Sequence, residues 1–319
     1  MQSLTRRSVN ALRAASSYGI DAGRVLRTNV RFLAIALLLS SACFASSVAA
    51  QQTPAYAMLP SHRDASAPAL TPSYVLRHVL DPLSTLTNVG GPWVRRIYAE
   101  DVATFRSGDS QRRSRLLVWG AGVAVLAFAL EMLMAVGVLG CLWDRVSKRR
   151  AATWAGHVRA HYLSLAALVA CVRVPAGLLR GLSALAPLWL MPHLPIGWHI
   201  YEMAVYLPPV LLVIAPYAIV GSGVGAWRGA KTGILLLWRN ALIVGVLLVL
   251  CRIGMAMVEL SAAHVVAARF VELTWDRPGS LVSHWLLWTA RSALGLWLAT
   301  GLFLVVSRGS LPRGDANAA

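Results

Sequence analysis

From Met203 to Trp227 the chain runs without one charged side chain. Phe32 to Ala50 is equally free of charge, and four other stretches come close: Leu116 to Trp143, His161 to Leu190, Gly233 to Val258 and Trp285 to Val306. A helix of about 20 apolar residues crosses the roughly 30 Å hydrocarbon core of a bilayer. Lipid offers no hydrogen bonds, so a spanning segment must satisfy its own backbone, and a helix does so internally. Composition agrees with a membrane reading: 57% of residues are apolar and 13% charged, and mean hydropathy is +0.60. A soluble domain carries about a quarter charged residues. The expected fold is an all-α polytopic membrane protein, with an N-terminal signal or anchor segment followed by about five transmembrane helices.

The first apolar stretch has the layout of an export signal. Arg6, Arg7, Arg13, Arg24, Arg27 and Arg31 precede it against a single acid, Asp21, and it ends Ser-Ser-Val-Ala-Ala before Gln51. A basic start, an apolar middle and small residues at Val48 and Ala50 define a cleavage point. The same stretch is long enough to stay as an uncleaved anchor. An Arg- and Ser-rich, acid-poor start also fits a mitochondrial transit peptide. The cleavage-like end favours a bacterial inner membrane, with the mitochondrial inner membrane as the alternative.

Four units follow: a basic N-terminus with its signal or anchor (1–50), an exported polar segment (51–115), a transmembrane domain (116–306) and a short cytoplasmic tail (307–319). Pro54, Pro60, Pro68, Pro72 and Pro82 make the first part of the exported segment irregular. Orientation is read from basic residues in short loops. Arg145, Lys148, Arg149, Arg150 and Arg159 mark one inner loop, and Arg228 and Lys231 another. Residues 191–202 carry neither Lys nor Arg and fall outside. Arg106, Arg112, Arg113 and Arg115 oppose this arrangement, but a long exported segment overrides such charge. The expected orientation has a cytoplasmic N-terminus and a periplasmic 51–115 segment.

A net charge of +17 suggests nucleic acid in a soluble protein. Here the basic residues flank apolar runs and serve orientation and anionic headgroups, so no nucleic-acid partner is expected. The four cysteines, Cys43, Cys141, Cys171 and Cys251, all lie in apolar stretches without metal or disulfide spacing. No metal and no cofactor is expected.

The informative residues are ionisable groups inside the spans, which usually face protein or water. Glu131 stands near the middle of the second span. Gly120, Ala124, Ala127 and Ala135 share its helical face. Small residues let membrane helices approach closely, so Glu131 is expected in a helix interface. Its candidate partners are Arg173, Arg180, Arg239, Arg252 and Arg291. Together these residues form either a structural ion pair or a pathway for an ion. One glutamate among arginines that stay charged makes a poor proton relay. Gly221, Gly225 and Gly229 recur every fourth residue, a second small-residue spacing. His157 and His161 have a spacing that can hold a metal on one helix face, but Arg159 stands between them. The stretch Gly225 to Thr232 fails the phosphate-loop pattern because Ala230 separates Gly229 from Lys231.

The function expected is a non-enzymatic structural or assembly subunit of a bacterial inner-membrane complex, such as a secretion or conjugative-transfer apparatus. Its partners are the lipid bilayer and other membrane-protein subunits. The alternative is a transporter or channel for a small anionic solute, lined by Glu131 and the arginines. A third reading is a membrane enzyme holding a metal or haem on the outer-side histidines His193, His199, His264 and His284.

Overall fold

In a computed structural model of the protein, which describes residues 2–51, 87, 93, 110–149, 152–185, 208–268 and 278–309, every described element is helical. In chain order these are α1 (Gln2–Thr28), α2 (Val30–Gln51), α3 (Ser110–Val146), α4 (Trp154–Leu185), a 3-10 turn (Pro208–Val213), α5 (Ala215–Ser222), α6 (Ala226–Arg239), α7 (Ala241–Ala268) and α8 (Pro278–Gly309). Among the described residues, five helices are long and apolar enough to cross a membrane: α2, α3, α4, α7 and α8. Most of the exported segment, the 191–202 loop with His193 and His199, and residues 310–319 of the tail lie outside the described residues.

Two asparagines bend the chain without breaking its hydrogen bonding. Asn29 separates α1 from α2. Its side-chain amide donates to the Val25 carbonyl (2.8 Å) and its own carbonyl accepts from Leu33 N–H (3.1 Å). Asn240 repeats the device between α6 and α7, with its amide on the Leu236 carbonyl (3.0 Å) and its carbonyl accepting from Val244 N–H (2.9 Å). At Asn29 the backbone N–H turns to the Leu26 carbonyl (3.1 Å), and the side chain takes its place on the Val25 carbonyl; at Asn240 the side chain joins the backbone N–H on the Leu236 carbonyl.

Two expected spans change. Met203 to Trp227 is not one helix in its described part. Pro208, Pro209 and Pro216 remove amide donors, giving a 3-10 turn and then the eight-residue α5. Gly223 ends α5 in the left-handed region (φ 67°), and its N–H donates to the Ile219 carbonyl (2.9 Å). A side chain there would be strained. The broken segment sits inside protein, where irregular backbone at membrane depth is tolerated: residues Ala215 to Val220 are all buried. Gly233 to Val258 is divided at Asn240, so Arg239 is the exposed last residue of α6 and not part of a span. The third expected span is one helix as far as it is described, to Leu185, and it continues through Pro175.

The core forms where α3, α4, α5 and α8 meet, around Leu139, Leu142, Leu165, Ile214, Ile219, Leu302 and Phe303, all essentially inaccessible. Phe303 takes Trp143 on one side (centroids 5.3 Å) and Tyr217 edge-on on another (4.9 Å). These contacts tie the ends of α3 and α5 to the last third of α8. The basic N-terminus is itself a helix, α1. It packs on α7 and α8, with Ala15, Ala22 and Leu26 buried. Trp297 Nε1 donates to the Gly19 carbonyl (2.9 Å), and Arg308 pairs with Asp21 (2.7 Å).

Candidate functional site: two polar contacts between α3 and α4

α3 and α4 form a hairpin with two polar clasps. The first is deep. Arg173 Nη1 donates to Glu131 Oε1 at 2.7 Å, with 14% of the glutamate side chain and 36% of the arginine exposed. The glutamate stands on the small-residue face. Gly120, Ala124 and Ala127 are half-buried and Ala135 is buried. Of the five arginines named from the sequence, Arg173 is the one found bonded to Glu131 among the described contacts. Arg252 on α7 and Arg291 on α8 are half-buried within their spans, and Arg239 is exposed at the end of α6. Arg180 lies on α4 beyond the residues whose side chains are described. An opposed charge at hydrogen-bond distance reduces what either ion costs inside a membrane.

The second clasp closes the hairpin at its turn. Asp144 Oδ2 accepts from His157 Nε2 (2.8 Å) and from Ala152 N–H (2.8 Å), and both side chains of the pair are buried. An ionised carboxylate only accepts, so His157 carries its proton on Nε2. Lys148 adopts a left-handed conformation (φ 54°), and Arg149 N–H bonds the Asp144 carbonyl (3.1 Å), which ends α3 and turns the chain toward α4. Gly137 and Gly140 make the close approach possible. A Cβ at 137 would overlap the Trp154 ring, and one at 140 would overlap His157. His161 stacks near His157 (centroids 6.3 Å, 22° between planes). Among the described residues no group of three or more metal-ligating side chains comes together.

The expected Gly221, Gly225 and Gly229 face does not exist as one surface, because the turn at Gly223 divides it. Gly221 lies against Trp143 (3.4 Å from an added Cβ), Gly229 lies against Ile219, and Gly225 has nothing near it. Sequence reasoning missed Asp144, Gly137 and Gly140. Asp144 was legible only as an acid in a basic flank, and the glycines only as a three-residue step on one face of α3. It also missed a contact between α2 and α8. Ser40 and Ser292 share a buried hydrogen bond (2.6 Å), and Trp285 Nε1 donates to Ser41 Oγ (2.9 Å). Ser292 also donates to the Trp288 carbonyl (2.9 Å), which leaves Ser40 as donor to Ser292.

Fold and contacts define an all-α polytopic membrane protein. Comparison with protein-family models, curated proteins and solved structures finds no match to this chain.

Proposed function

We propose that the protein is a non-enzymatic structural subunit of a bacterial inner-membrane complex, such as a secretion or conjugative-transfer apparatus. The observation that carries this is the outward face of α4. Its span, Trp154–Pro175, is the least apolar of the five, yet only 28% of its most apolar window is buried within the chain. The outer stripe is Gly156, Ala160, Leu163, Ala167, Cys171 and Val174, at helical spacing and mostly small. Small residues at this spacing let a second membrane helix pack closely, with Leu163 and Val174 as the large side chains it would cover. α7 makes the contrast. Its span is even less buried but is the most apolar of the five, which suits lipid.

The test is gentle extraction from native membranes, followed by sizing and mass spectrometry. The expected result is a complex with a reproducible membrane-spanning partner, which Ala160→Leu with Ala167→Leu dissociates without changing the melting point of the chain itself. Lipid tolerates the added apolar volume and a close helix does not. A lone chain before and after substitution would sink the proposal. So would anionic-solute uptake by vesicles containing this chain alone, which is the transporter outcome.

The orientation that fits has a cytoplasmic N-terminus. Basic residues gather at one end of the bundle: Arg145 over Phe32 (4.4 Å), Arg149 over Trp143 (6.0 Å) and Arg308 over Tyr18 (4.9 Å). Such an end faces the cytoplasm under the positive-inside rule. In this reading the first apolar stretch is retained as an anchor. α2 is joined to α8 by Ser40–Ser292, by Trp285–Ser41 and by Phe44 against Trp288 (centroids 5.9 Å). Removing it would strip a packed face from α8. The intact mass of the purified protein is therefore expected to include residues 2–50. An N-terminus at Gln51 would show that the stretch is a signal peptide.

A further inference from the structure

α6 has two apolar faces, and only one is covered within the chain. The inner face, Gly229, Ala230, Gly233 and Leu236, is buried. A Cβ at Gly229 would overlap Ile219 and one at Gly233 would press on Ala215, so α5 lies directly against it. The outer stripe is Trp227, Lys231, Ile234 and Trp238, at helical spacing. Trp227 is 73% and Trp238 84% exposed. Lys231 Nζ stands 5.2 Å from the Trp227 ring centroid, and Arg228 and Arg239 are exposed beside the stripe. No acid stands between Glu202 and Glu259 to balance these cations within the segment.

Position favours a membrane surface. The 14 residues of α6 rise about 21 Å, short of the roughly 30 Å that a span needs. Both ends are tied to the same end of α8. α6 begins just after Gly221, which touches Trp143, itself packed on Phe303. It ends at Asn240, seven residues before Leu247, which faces Gly301. α6 therefore runs across that end of the bundle rather than through it. A helix with exposed tryptophans and cations on one side suits the headgroup layer, where the indole sits half in apolar surroundings and the cations reach phosphate.

We propose that the outer face of α6 binds anionic phospholipid headgroups, with Trp227 and Trp238 seated at the headgroup boundary and Arg228, Lys231 and Arg239 on the phosphates. This stands independently of the subunit reading, because it concerns lipid at a face that α4 does not share.

The full chain is reconstituted into vesicles of phosphatidylcholine and phosphatidylglycerol, with bromine on the acyl chains of one lipid or the other at equal mole fraction. The difference in fluorescence between the wild type and Trp227→Phe/Trp238→Phe isolates two of the twelve tryptophans. Brominated phosphatidylglycerol is expected to quench that difference signal about twofold more than brominated phosphatidylcholine. Arg228→Gln/Lys231→Gln/Arg239→Gln is expected to bring the ratio to one while the melting point holds. A wild-type ratio of one, or a preference that survives the triple substitution, would overturn the proposal. No quenching from either lipid would overturn it too, by showing that water or protein covers the face.

Discussion

Gly140→Ala is expected to cost the folded protein about 3 kcal/mol, at the upper end of what overpacking a tight core costs, and Gly137→Ala about 1–2 kcal/mol. Both glycines let α3 approach α4, but what they meet differs. The Trp154 ring stands half-buried at the first turn of its helix, where it keeps an exposed side to yield toward. His157 does not, because Asp144 holds its Nε2 at 2.8 Å and the pair is buried. A methyl at 140 must displace either that hydrogen bond or the helix. Unfolding in detergent, read as a midpoint shift, ranks the two. If Gly140→Ala costs no more than Gly137→Ala, the carboxylate is not fixing the histidine. A double-mutant cycle gives the second check. Asp144→Ala frees the ring, so the cost of Gly140→Ala in that background falls well below its cost in the wild type.

Leucine in place of Glu131 or of Arg173 alone is expected to destabilise the bundle by about 2 kcal/mol, the range for a hydrogen bond to a charged group. Fully buried pairs lose more when one partner goes, because the other is left charged and unpaired. Arg173 is 36% exposed, so part of its charge remains open to its surroundings and the lower figure applies. Glu131→Leu with Arg173→Leu together is expected to cost less than either single change, since an apolar pair has no charge to strand. Melting of the three variants in detergent measures this. Additive losses would mean that the two residues act separately, and that Glu131 is held chiefly by contacts other than Arg173.

The membrane class is legible along the chain alone. Apolar runs of span length have one solution in lipid, and the run from Phe32 to Ala50 is read as easily as that from Trp285 to Val306. The sequence also places Glu131 on a small-residue face, because helical periodicity is local. Three prolines in residues 208–216 were visible, yet apolarity alone made that stretch a span. The energy of the missing hydrogen bonds decided for a 3-10 turn and a short buried helix. Asn29 and Asn240 were invisible as joints, because a bend depends on what lies on either side of it.

Pairing between helices is fixed in three dimensions. Five arginines were equivalent candidates in the sequence, and choosing Arg173 requires the register of α4 on α3, which Gly137, Gly140 and the Asp144–His157 contact set together. Ser40 and Ser292 are 252 positions apart, and no periodicity relates them. The physical reason is the same in each case. Hydrophobicity and helix period act along the chain and are written in neighbouring residues. A hydrogen bond or a close packing contact between helices depends on rotation and offset, which the whole bundle fixes at once.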